Sequence, residues 1–195
     1  MAEINKIKNV FLSASVPKPG REFYGTEDVI AIRDAVIALA STVLANPAYH
    51  LIWGGHPSIT PLITLVLDRY GLKMSDRVTL YQSDWFRDVF PPENKDVGNR
   101  VITNKLSTMG NSLELMRDKM IRDNDYAAAV FIGGMGGIFE EYELFRKCHP
   151  HALVLPIAST GAAAKGLFDK YSGQFDKRLL TELSYTSLFK ELLGL

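Results

Sequence analysis

Apolar residues in this chain fall into short unbroken runs separated by longer stretches where they recur every three or four positions. The runs 8–13, 49–53, 127–132 and 151–157 read as strands. The run 127–132 has no polar face, as expected of a parallel strand covered on both sides. Residues 77–82 alternate and read as another strand, and 101–104 as a short one. Between them lie helical stripes. Val29, Ile32, Val36, Leu39, Ala40 and Val43 form the first. Ile59, Leu62, Ile63, Val66 and Leu67 form the second, and Leu113, Leu115, Met116, Met120 and Ile121 the third. Phe139, Tyr142 and Phe145 mark a fourth. Thr26 is the expected N-cap of the first helix, Pro57 the expected opening of the second, and Gly71 its end. Ser107 opens the third. Ser159 and Thr160 start a further helix to about residue 171. Two short helices follow, with Ser187 as the cap of the last. Residues 85–99 fit neither period. Pro91-Pro92 breaks them, yet Trp85, Phe86 and Phe90 are too apolar for a free linker, so a short helix plus a flap, or an oligomer contact, is expected.

Strand and helix alternate throughout, which predicts an α/β fold: a Rossmann-like parallel sheet with helices on both faces. At 195 residues the chain reads as one domain, 1–195. No internal repeat or low-complexity segment is present.

The candidate chemistry sits where strands end. Ser13-Ala14-Ser15 closes the first strand with small side chains that let a ligand reach the backbone; a plain strand terminus fits equally. The long loop 16–25 carries Arg21 and Tyr24 as side chains with the reach to touch a ligand. Arg33 lies near the start of the first helix, either solvated or turned to a phosphate. The second strand ends in Gly54-Gly55, followed by His56 and Ser58. Gln82 and Ser83 lie at the carboxyl end of the third strand, where ligands bind in open α/β sheets. After 127–132 come Gly133, Gly134, Met135, Gly136 and Gly137, then a helix with Glu140 and Glu141 in its first turns. Such a turn presents backbone N–H groups that favour an anion, although the glycines also permit tight strand-to-helix packing alone. Two glycine turns in one parallel sheet can face each other across a crevice. Arg117, beside Met116 and Met120, is read as turning its guanidinium towards that crevice.

Charge narrows the partners. Lysine plus arginine equals aspartate plus glutamate at 22 each, which argues against nucleic acid as the main partner. Cys148 is the one cysteine, so neither an internal disulfide nor a cysteine-rich zinc site is expected. The N-terminal residues carry no apolar signal core, and no run approaches the roughly 18 residues of a membrane span. The expectation is a cytoplasmic protein with no membrane partner, no metal and no cofactor.

In their order and spacing, Ser13-Ala14-Ser15, Gly54-Gly55 and the 133–140 turn resemble the SLOG superfamily. That group includes the LOG cytokinin-activating phosphoribohydrolases, the DNA-processing protein DprA and ligand-sensing domains of bacterial antiviral defence proteins. The resemblance spans about residues 10–171. The LOG signature is Pro-Gly-Gly-x-Gly-Thr-x-x-Glu, with a catalytic final glutamate. Gly133, Gly134, Gly136 and Glu140 match it; Ile132 replaces the proline and Gly137 the threonine. The enzymes also carry an arginine-lysine pair on a preceding helix, to which 116–120 is loosely similar, implying Arg117. These departures favour the branch that binds nucleotide-derived signals of the ADP-ribose or cyclic ADP-ribose type. The alternative is a nucleoside 5′-monophosphate phosphoribohydrolase, in which Glu140 would stabilise an oxocarbenium-like sugar and Arg117 would hold the phosphate. A deoxyribosyltransferase explains the two glycine turns less well, and a purely structural subunit leaves the glutamates unexplained. The resemblance also implies a homo-oligomer, with the basic helix 107–123 as its contact.

Overall fold

The computed structural model describes residues 7–71 and 77–195, with 95 and 96 by backbone alone. Residues 1–6, part of the stretch read for a signal core, lie outside the described residues. Six strands form one sheet: β1 (Lys8–Ser15), β2 (Tyr49–Trp53), β3 (Val78–Ser83), β4 (Arg100–Thr103), β5 (Tyr126–Gly133) and β6 (Leu153–Ile157). Their order is β4-β3-β2-β1-β5-β6, and every neighbouring pair is parallel. The chain winds outward from β1 to β4, then crosses back to the far side of β1. Such a reversal opens a crevice at the carboxyl ends of the strands.

The helices are α1 (Val29–Ala45), α2 (Thr60–Tyr70), α3 (Met109–Arg122), α4 (Gly137–Cys148), α5 (Ala162–Lys170), α6 (Arg178–Thr181) and α7 (Tyr185–Leu193). Strand alternation sorts the core into two layers. Val10, Leu12, Val130 and Ile132 pack into the layer of α1, α2 and α7. Phe11, Ala129 and Phe131 pack into that of α3 and α4. Residues 10–12 of β1 and 128–132 of β5 are therefore dry on both faces, which is why that part of the apolar run lacks a polar side. Phe11 anchors the second layer, stacked on Phe145 with ring centres 5.7 Å apart and edge-on to Tyr126 and Phe131.

Several boundaries differ from expectation because hydroxyls and carboxylates found other partners. Asp28, not Thr26, caps α1: its carboxylate accepts from the Ala31 N–H at 2.9 Å, while the Thr26 hydroxyl donates to the Phe23 carbonyl. Thr108 rather than Ser107 caps α3. Pro57 stands in a turn before α2, and Pro61 supplies the proline of the first helical turn. Ser187 lies inside α7, whose entry is fixed instead by Glu182 accepting from the Leu183 and Ser184 N–H groups. The ambiguous stretch forms two 3-10 turns, Asp84–Val89 and Pro92–Asp96. Among the described residues, no helix is long and apolar enough to cross a membrane.

Candidate functional site

Two hydrogen bonds tie the glycine turns to the end of β1. The Gly134 N–H donates to the Ser15 carbonyl at 2.7 Å. One residue on, the Val16 N–H donates to the Ser58 hydroxyl at 3.2 Å. The turns after β5 and β2 thus flank β1 at the same rim. Beside them opens a cavity of about 560 Å³, within the range of ligand sites. Ser13, Ala14 and Ser15 of β1, Gly54, Gly55 and His56 after β2, and Gln82 and Ser83 of β3 contribute to its wall. Lys18 and Arg21 line it too. Met109, Leu113, Met116 and Met120 of α3 and Phe86, Val89 and Phe90 of the 84–91 segment are its apolar lining. Met135, Ile138 and Glu141 complete it.

The glycines serve closeness more than anion cradling. Gly55 has φ +67°, and a Cβ there would stand 2.6 Å from Leu80 Cδ1 and 2.9 Å from Gln82 Cγ. The turn therefore rests directly on the end of β3. Gly133 has φ +57°, with Ile32 Cδ1 at 2.4 Å and the Ser15 carbonyl at 2.9 Å from the same imagined atom. Its N–H is taken by the Thr160 hydroxyl at 2.9 Å. With the Gly134 N–H bonded to Ser15, neither is left for a phosphate. The outer faces of Gly136 and Gly137 are covered by the Glu22 carboxylate and the Arg117 guanidinium, 2.1 and 2.2 Å from where a Cβ would be. Of this turn only Met135 reaches the cavity.

The acidic residues divide in a way the signature does not indicate. Arg117 bridges both: its Nη1 donates to Glu140 Oε2 at 2.5 Å and its Nε to Glu141 Oε1 at 3.0 Å. The Glu140 side chain is 72% exposed, that of Glu141 13% and that of Arg117 20%. Glu141 lines the cavity, whereas Glu140 and Arg117 are absent from its wall. The reason is helical phase: Ile138, Glu141, Tyr142 and Phe145 share the inward stripe of α4 and Glu140 lies off it. Arg33 is also elsewhere, solvated and paired with its neighbour Asp34 at 3.0 Å. Tyr24 is exposed away from the wall.

His56 is held as a neutral ring. Its Nδ1 accepts from the Ser58 N–H at 3.3 Å and lies 2.8 Å from the Ser58 hydroxyl, which assigns the ring proton to Nε2. Burial, reinforced by the charge of Lys18, lowers its pKa to about 4. Gln82 is only 4% exposed, and its Oε1 has no hydrogen-bond partner among the described residues. No group of three metal-binding side chains occurs among the described residues.

Lys18, Glu141 and the α3 methionines escaped the sequence reading as ligand-facing residues. Glu141 carried a signal, since it falls within the apolar stripe of α4. The methionines read correctly as a helix stripe, but that stripe also forms a cavity wall. Lys18 gave no signal at all.

The SLOG cluster3 family matches residues 22–193. A solved X-ray structure, the structural-genomics target TM1055, is similar at 16% identity with a TM-score of 0.59, over 89% of this chain and 89% of that one. That likeness shows a shared fold. No curated protein matches the chain. The family match spans most of the sequence and takes in strands β2 to β6 and both glycine turns, so the chain belongs to the SLOG cluster3 family.

Proposed function

We propose that the protein binds a nucleotide-derived small molecule, of the ADP-ribose or cyclic ADP-ribose type, in the crevice at the carboxyl ends of β1, β2 and β3. Family membership supports a ligand-binding or LOG-like role in general. The observation that carries the finer reading is the mixed make-up of the cavity wall, cations and hydroxyls together with apolar side chains. Lys18 and Arg21 have no ion-pair partner among the described residues and share the cavity wall with the serines of β1 and the His56 turn. Their unpaired charges suit a phosphate. The methionine and phenylalanine side chains of the wall suit the flat face of a base. Glu141 suits ribose hydroxyls, because an ionised carboxylate accepts from paired donors.

The hydrolase alternative needs a carboxylate beside the sugar, and Glu141 rather than Glu140 is the residue that fits this requirement. A thermal-shift titration with ADP-ribose and adenosine monophosphate tests binding. A ligand at about a hundred times its Kd adds roughly 2.7 kcal/mol, or about 5–10 °C for a chain of this size. Glu141→Gln should abolish most of the shift and Glu140→Gln little of it. Absence of a shift with every nucleotide derivative would sink the reading. Free adenine appearing with wild type but not with Glu141→Gln would make the protein a hydrolase.

A further inference from the structure

Residues 16–27 form a strap between β1 and α1 that carries Lys18 and Arg21 to the cavity. Both of its ends are tied. The Val16 N–H donates to the Ser58 hydroxyl. At the far end the Thr26 carbonyl accepts from the Ala162 N–H at 3.2 Å, and Glu27 bridges to Gly161. Between these ties the strap is folded on itself by successive tight turns. The Arg21 N–H donates to the Lys18 carbonyl at 3.0 Å, the Tyr24 N–H to the Arg21 carbonyl at 3.3 Å, and the Thr26 N–H to the Phe23 carbonyl at 3.1 Å. Among the described residues, every hydrogen bond of residues 18–25 stays within the strap. Its apolar hold on the rest of the protein is one side chain: of residues 18–26, Phe23 alone is not exposed. The ring is stacked on Phe139 of α4, with centres 6.1 Å apart. It also lies against Gly166 of α5, where a Cβ would stand 3.4 Å from Phe23 Cε1 and 3.3 Å from Phe139 Cζ. The neighbouring Glu22 carboxylate covers Gly136 at the N-terminus of α4, where the helix dipole favours a negative charge. Phe23 has φ +66°, a conformation that ring-bearing residues rarely adopt. Such a backbone persists only where surrounding contacts over-determine it. Here those contacts are the seat of the ring.

We propose that Phe23 is a positioning residue of the ligand site, latching the strap so that Lys18 and Arg21 are held at the cavity. The proposal rests on the nucleotide reading, which gives those two cations to the ligand's phosphates, and adds what holds them in place. Phe23 does not itself line the cavity. It acts through the turns: Arg21 is shared by the first two of them, and the second ends at Tyr24, directly after Phe23. The seat of one ring therefore sets the course of the chain back to Lys18. A free loop would lose its conformational freedom when the ligand bound, which lowers affinity. A latched strap has lost that freedom already on folding.

The experiment pairs two readouts on the full chain for wild type, Phe23→Ala and Gly166→Leu. The second variant fills the seat from α5 and leaves Phe23 in the sequence. Trypsin cleavage after Arg21, without ligand, reads the latch. Both variants should be cut at least about tenfold faster than wild type, because cleavage follows local opening. Calorimetric titration with ADP-ribose reads the positioning. Both variants should bind at least about tenfold more weakly, the equivalent of one hydrogen bond to a charged group. Lys18→Ala, which should cost about tenfold in the wild-type background, should cost less than about twofold when added to either variant. Loss of packing alone would leave the Lys18→Ala cost the same in every background. Cleavage rates of both variants within about twofold of wild type would overturn the latch. Faster cleavage with unchanged affinity, or with an undiminished Lys18→Ala cost, would overturn the positioning role while leaving nucleotide binding intact. Binding of neither ADP-ribose nor adenosine monophosphate by wild type would overturn the nucleotide reading and the positioning role with it.

Discussion

Replacing His56 by glutamine should flatten one section of the protein's pH–stability profile. The ring is part-buried beside Lys18 and holds its pKa near 4, against 6.5 for the ordinary imidazole. Below pH 6.5 the unfolded chain takes up a proton that the folded chain refuses. Stability supplied by this residue is therefore full above pH 6.5 and falls as the pH drops towards about 4, where the folded ring also protonates. Each unit of separation is worth about 1.36 kcal/mol, so the whole interval amounts to at most about 3 kcal/mol. Protonation would also displace the contact that Nδ1 accepts from the Ser58 N–H. Urea denaturation of wild type and His56→Gln at pH 7, 6, 5 and 4 isolates the effect, since all other titrating groups cancel in the difference. Wild type should lose up to about 3 kcal/mol more than the variant across that range. Parallel profiles would refute the reasoning and mean that water reaches the ring freely. A phosphate bound at Lys18 should move the ring's pKa upward, which a histidine NMR titration with and without nucleotide would detect.

Gly133→Ala should destabilise the fold by about 2–4 kcal/mol, because its Cβ would meet both Ile32 and the Ser15 carbonyl at a positive φ; chemical denaturation measures this, and a loss below about 1 kcal/mol would show that the turn relaxes. Lys18→Ala and Arg21→Ala should each weaken nucleotide binding by about tenfold and reduce its salt dependence while leaving the melting temperature of the free protein unchanged, since both side chains are exposed. Calorimetry at two salt concentrations reads both effects, and unaltered affinity would move the phosphate elsewhere.

The strand-helix alternation was legible because it is a local property. Residues 127–132 are apolar on both sides for a reason the fold makes plain: Val130 and Ile132 serve one layer, Ala129 and Phe131 the other. Caps were less legible. Thr26 and Asp28 are both good capping residues, and only the hydrogen bond Thr26 makes to Phe23 decides between them. The aromatic content of 85–90 announced something other than a linker, but the wall that Phe86 and Phe90 help to form exists only once α3 lies beside them.

The sequence by itself determined that a parallel sheet would carry two glycine turns at strand ends, because residue type governs where a backbone can bend and what a strand can bury. It also confined the acidic chemistry to Glu140 and Glu141. Tertiary structure alone decided which of the two meets the cavity, through the phase of α4 against the sheet and the grip of Arg117 on both. It alone decided that the 133–137 glycines are spent on close packing, and that cations from a surface loop stand at the edge of the crevice. Those outcomes depend on distances between segments far apart in the chain, which no local pattern of side chains encodes.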